Sequence, residues 1–240
     1  MVTPVASGRQ WVPSPGRLLA IVGGIYALAQ FVLGPVGMRY GWDETIYVSQ
    51  VAPHTPAAAF SPPRARGIVA LVAPVAGLTT STTAVRVYLV IISAVALVLA
   101  YRVWLRILGP TTVVLAAAIF ASLWMTVVYG NEAMPNYWIA LLAVGATGWT
   151  VRAMRDEGRP ASLGLGLCVA GTALIRPGDA VWLTAPLILA MLVPHPTRHL
   201  RTIAVAVGSL ALGLLPWVVE AEIVYGGVHE RLLSALNATE

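Results

Sequence analysis

Lysine is absent from this 240-residue chain, and all fifteen of its basic residues are arginine. Charge of either sign is scarce: Asp, Glu, Lys and Arg make up 10% of the chain, against about a quarter in a soluble domain. The lone cysteine, Cys168, excludes a disulfide framework and a cysteine metal site. The four histidines and ten acids show no metal-ligand spacing, and there is no glycine-rich nucleotide loop or Ser/His/Asp arrangement. A basic stripe with interleaved aromatics is also missing, so the net charge of +5 does not point to nucleic acid.

What fills the chain is apolar. Hydrophobic residues make up 58% of it, and the mean hydropathy is +0.79. The apolar tracts recur past residue 200, so the first of them is not a signal peptide on an otherwise soluble protein. The composition defines an all-α, polytopic membrane protein, because a chain crossing lipid must satisfy its backbone hydrogen bonds within each segment.

Taken in order, residues 1–17 read as a short cytoplasmic tail with three prolines. The first span is expected over 18–37, long enough at roughly 20 residues to cross. A polar loop, 38–66, follows. Residues 67–79 are apolar but too short to cross, and read as an interfacial helix. Further spans are expected over 84–108, 111–129, 137–151, 161–175, 180–194 and 202–219, about seven in all. Residues 220–240 read as an external, amphipathic C-terminal segment. Asn237 and Thr239 fit a glycosylation sequon, a weak pattern.

Sidedness follows from arginine placement. With the N-terminus in the cytoplasm, nine of the fifteen arginines fall in short inner tails and turns: Arg9, Arg17, Arg102, Arg106, Arg152, Arg155, Arg159, Arg198 and Arg201. Of the ten acids, only Asp156 and Glu157 lie inside. This expects an integral plasma (inner) membrane protein. The first loop, the turn holding Glu132 and the turn at Arg176 then share the outer face.

The first loop carries the densest chemistry, Gly41-Trp42-Asp43-Glu44-Thr45-Ile46-Tyr47. Asp43 and Tyr47 are spaced i, i+4, so a helical turn puts both on one face. Trp42 and Tyr47 suit an interface or the face of a sugar ring. Asp43 is expected to take a proton from an acceptor hydroxyl, or to hold a divalent cation through its oxygens. Arg64 and Arg66, after Pro62-Pro63, read equally as snorkelling interface residues or as a phosphate clamp. Arg86 enters a span, and such a charge usually faces the bundle interior. Arg176 pairs with Asp179 or adds a phosphate contact. Glu132 reads as a turn acid or a second carboxylate of the pocket. If these residues form one site, Asp43, Glu132 and Arg64 should converge on one outer cavity.

The pattern resembles the N-terminal half of the GT-C superfamily of membrane glycosyltransferases, in the branch of protein O-mannosyltransferases and lipid A aminoarabinose transferases. Four stretches carry the resemblance: residues 42–47, the Pro-Pro element with Arg64 and Arg66, the span opened by Arg86, and the Arg176-Pro177 apex. It implies a sugar moved from a polyprenyl-phosphate donor to an unidentified acceptor on the outer face, within a membrane-lipid setting. It implies Asp43 as the catalytic carboxylate with Glu44 beside it, and Arg64 and Arg66 at the lipid phosphate. In the family a lysine often precedes Pro-Pro, whereas here Ser61 precedes and Arg64 follows.

Family members are longer, with more spans, so the chain is expected to match their first half. The alternative expectation is a non-catalytic membrane subunit or a degenerate fragment of such an enzyme. A transporter would place ionisable residues in mid-span, and the charges here gather at span ends and loops instead.

Overall fold

The computed structural model describes residues 14–34, 36–155, 157–193 and 199–237. Every regular element among them is helical. The expected tail with Arg9, the inner Asp156, Arg198 and most of the sequon lie outside the described residues.

Proline sets many of the helix starts. Pro15, Pro110, Pro135 and Pro177 each occupy the first position of a helix, where the missing N–H costs nothing. They open α1 (Pro15–Leu33), α5 (Pro110–Ser122), α7 (Pro135–Met154) and α9 (Pro177–Leu192). Within the first loop are α2 (Trp42–Ser49) and then α3 (Gly67–Ala76). Ser81 caps α4 (Thr82–Arg102) by accepting the Ala84 N–H at 3.3 Å, and α4 ends in a 3-10 turn, Val103–Arg106. The remaining helices are α6 (Trp124–Tyr129), α8 (Gly158–Ile175), α10 (Leu200–Glu220) and α11 (Val228–Asn237). A π-turn, Ala221–Tyr225, and two glycines with positive φ, Gly226 at 81° and Gly227 at 139°, turn the chain from α10 into α11.

Among the described residues four helical stretches are long and apolar enough to cross a bilayer: Pro15–Leu33, Thr82–Arg106, Gly158–Ile175 and Leu200–Tyr225. α3, α5 and α9 are shorter apolar helices, and α7 runs for 20 residues. The span expected over 111–129 differs in form. It is two helices, α5 and α6, broken at an extended Leu123 (φ −65°, ψ 131°). The Tyr26 hydroxyl holds α6 by donating to the Thr126 carbonyl at 2.7 Å. This long-range contact accompanies a break that no proline or glycine marks.

The bundle has two packed centres. Around α4 gather Leu19 and Tyr26 of α1, Ile68 and Val72 of α3, Leu89 and Leu97 of α4, and Leu141 of α7. Around α8 gather Leu165 and Val169, with Met191 of α9 and Ala206 of α10. Small residues let these helices approach closely. A Cβ on Gly213 of α10 would stand 2.6 Å from the Ala170 carbonyl oxygen of α8. Large apolar side chains such as Ile25, Leu28, Leu115, Ile119, Leu167 and Leu212 point outward, the surface a lipid-facing bundle presents.

Several polar groups between helices pair with one another, which offsets the cost of taking them away from water. Gln30 of α1 donates to Ser93 of α4 at 3.1 Å, and the Tyr137 hydroxyl of α7 donates to the Ser93 carbonyl at 2.8 Å. Charge collects at the two ends. At one end Glu157 accepts from Arg152 at 2.5 Å and lies 3.6 Å from Arg106. The hydrogen bond from Arg152 holds its carboxyl below the usual range. At the other end lie α2, the 130–134 turn, the α8–α9 apex and α11.

Candidate active site

The first loop folds because its acids suit a helix start. Asp43 and Glu44 occupy the first turn of α2, where carboxylates oppose the positive helix end. Glu44 reaches back to accept the Gly41 N–H at 2.9 Å, which fixes the entry. The helix buries Ile46, Tyr47 and Val48. α3 packs alongside it, with Ile68 and Val72 fully buried. α3 in turn comes tight against the end of α8: a Cβ on Gly67 would lie 2.5 Å from the Leu174 carbonyl oxygen.

α2 sends its two acids to different partners. Glu44 is 3% exposed, and Arg86 of α4 is 1% exposed. The guanidinium donates to both carboxylate oxygens, at 2.9 and 3.2 Å. The Ala133 N–H adds a bond at 2.9 Å. Arg86 also donates to the carbonyls of Met38, Arg39 and Asn131 at 3.0–3.1 Å. This network ties three chain segments together and fills the lone pairs of Glu44.

Asp43 instead pairs with Arg64, which also donates to the Ser61 hydroxyl. The pair lines a cavity of about 210 Å³, together with Tyr47, Pro63, Met134, Pro135, Ile175 and Arg176. Arg176 sits at the α8–α9 apex, 3.3 Å from Asp179 and from the Asn136 side-chain oxygen. Burial raises the Tyr47 hydroxyl above its ordinary pKa; Arg64 and Arg176 pull it down and Asp43 adds to the rise.

Four of the expected site residues therefore meet: Asp43, Tyr47, Arg64 and Arg176. Glu132 does not join them, so the expected convergence of Asp43, Glu132 and Arg64 on one cavity fails. Glu132 lines a second, larger cavity of about 770 Å³ with Arg39, Tyr40, Glu44 and Arg86. Burial and the neighbouring Glu44 charge raise the Glu132 pKa, while Arg86 lowers it. Trp42 is 83% exposed and lines neither cavity. Arg66 turns away to Glu220 of α10, at 2.5 and 2.9 Å, and to Gln50 at 2.8 Å. Its guanidinium lies 3.9 Å from the Phe60 ring centre.

The donor set of the smaller cavity fits an anion. Arg64 and Arg176 line it with one carboxylate, Asp43, among the described residues. A divalent cation at Asp43 would have to find its further oxygen ligands beyond this lining. Among the described residues no group of three or more His, Cys, Asp or Glu could hold a metal ion.

Asn136, Glu220 and Arg231 are parts of this region that the sequence did not single out. Each works through a partner 11 to 169 positions away, which no local spacing reveals.

Fold and site together define an integral membrane helix bundle with an ion-paired, anion-suited cavity at one end. Residues 61–219 match the dolichyl-phosphate-mannose-protein mannosyltransferase family. The chain belongs to this family, a GT-C type of membrane glycosyltransferase. The match takes in Arg64, Arg66, Arg86, Glu132 and Arg176, and begins after α2 with its Asp43 and Glu44. No curated protein and no solved structure matches the chain.

Proposed function

We propose that the protein transfers a sugar from a polyprenyl-phosphate donor to an acceptor hydroxyl on the outer face of the plasma membrane. The observation that carries this reading is the Asp43–Arg64 pair opposite Arg176 on the wall of one small cavity. Family membership supplies the reaction class.

In this reading Arg64 and Arg176 take the donor phosphate. A guanidinium matches phosphate as it does carboxylate, so an entering phosphate competes with Asp43 for Arg64. The competition releases Asp43, which then accepts the proton of the acceptor hydroxyl. The hydroxyl oxygen forms a bond to the anomeric carbon as the carbon–oxygen bond to the phosphate breaks. The polyprenyl phosphate leaves with its charge against the two arginines. Tyr47 forms the cavity floor beside them. Glu44 serves as a strut, since its oxygens already accept from Arg86, Gly41 and Ala133.

Sidedness in this proposal rests on Arg102, Arg106, Arg152, Arg155, Arg159 and Arg201, which fall in the turns expected to be cytoplasmic; the end where Arg106 and Arg152 meet Glu157 is then the inner one. The test is transfer from a labelled polyprenyl-phosphate sugar by the protein in nanodiscs. The enzyme reading expects release of polyprenyl phosphate with glycosylated product. A non-catalytic subunit shows donor binding at most, and no turnover.

A further inference from the structure

The C-terminal helix contributes one side chain to the heart of this region. Arg231 of α11 is fully buried, with none of its surface exposed. Its guanidinium donates to the carbonyls of Pro62 at 2.9 Å, Arg64 at 2.9 Å and Trp217 at 2.8 Å. It also pairs with Glu220 at 3.0 Å. The Trp217 and Tyr225 rings lie 4.4 and 5.0 Å from the guanidinium carbon. The Tyr225 hydroxyl donates to the Phe60 carbonyl at 3.1 Å.

A buried guanidinium carries a heavy desolvation cost, and an apolar side chain of similar size would avoid it. Here two of its bonds are spent on main-chain oxygens of a segment that has no regular structure of its own, residues 51–66. The two oxygens belong to Pro62 and Arg64 and flank Pro63. Glu220 extends the same lock to Arg66, so one carboxylate joins both arginines to the end of α10.

We propose that Arg231 is a positioning residue for phosphate recognition: by holding the Pro62 and Arg64 carbonyls it aims the Arg64 guanidinium into the cavity. The proposal rests on the donor-phosphate reading above. It places the support of the Arg64 arm on a helix outside the matched family region.

The test uses the full chain in nanodiscs and measures binding of a polyprenyl phosphate against the polyprenyl alcohol of equal length. Arg231→Gln is expected to weaken the phosphate lipid about 10-fold, since small misplacements of a binding group are costly, and to leave the alcohol unchanged. Arg231→Lys keeps the charge but cannot span both carbonyls, so the loss persists. The double variant with Arg64→Gln should lose no more than Arg64→Gln alone, because the two act as one unit.

Wild-type affinity for the phosphate lipid in Arg231→Lys, or losses that add in the double variant, overturns the proposal. Arg231→Lys is the variant read if Arg231→Gln does not fold. A wild-type protein that binds both lipids alike overturns the donor reading instead. The positioning claim is then read from amide exchange at Arg64, Ala65 and Arg66. Faster exchange in Arg231→Lys supports it, and unchanged exchange overturns it.

Discussion

Glu44 and Arg86 meet end on in the protein interior, both carboxylate oxygens accepting from the two terminal guanidinium nitrogens, at 2.9 and 3.2 Å. The pair joins the first loop to α4 and, through the Ala133 N–H, to the turn before α7. Removing one partner strands a buried charge. Glu44→Ala should cost about 3–5 kcal/mol of stability, and replacing both partners with methionine should recover part of that. Equilibrium unfolding in detergent checks this. Single variants within about 0.5 kcal/mol of wild type would contradict the strut assignment.

Glu132 gives a pH signature. Its pKa is raised in the folded protein, first by burial and then by Glu44. The folded state thus holds the proton more tightly than the unfolded chain. The resulting stabilisation is fully present below the ordinary glutamate value of about 4.3 and is lost as pH rises through the higher folded value. Glu132→Gln should therefore gain stability relative to wild type as pH rises from about 4 to about 7. A pH series of melting temperatures reads the difference, and a constant difference would remove the buried-acid account.

Two glycines of similar appearance should behave oppositely. At Gly67 a Cβ would meet backbone atoms of Leu174 and Ile175 at 2.5–2.7 Å, which cannot swing aside. Gly67→Ala should push α3 from α8 and cost about 1–3 kcal/mol. At Gly24 of α1 nothing lies within 4 Å. Gly24→Ala should be neutral or stabilising by up to about 1 kcal/mol. Thermal unfolding of the two variants side by side decides the matter.

Arg176 is about half exposed, so its contribution to phosphate binding is screened. Arg176→Gln should weaken polyprenyl-phosphate binding by roughly 5-fold, or about 1 kcal/mol, with the loss shrinking as salt rises. A titration at two ionic strengths checks both parts. A loss independent of salt would point to a packing role at the apex instead.

Much of the fold could be read from local signals. Apolar length marked the long helices, and proline at their first positions marked four starts. The i, i+4 spacing of Asp43 and Tyr47 put both on one cavity, because α2 is a helix. The break at Leu123 had no local sign, since it accompanies Tyr26, a hundred residues away. The partition of Asp43 from Glu44, and of Arg64 from Arg66, was equally hidden. Neighbours on a helix point about a quarter-turn apart. Which acid meets which arginine depends on where α4, α10 and α11 arrive. Glu132 illustrates the same limit: its turn is near α2, yet it faces the other cavity.

In the proposed reaction Asp43 is the base of a sugar transfer that releases polyprenyl phosphate, held in check by Arg64 until the donor phosphate enters. Transfer from a labelled polyprenyl-phosphate sugar, measured with donor binding in Asp43→Asn, tests it most directly. Transfer should fall by about 10²–10⁴-fold, with donor affinity kept or tightened because Arg64 is released. Transfer at the wild-type rate in the folded variant would contradict it.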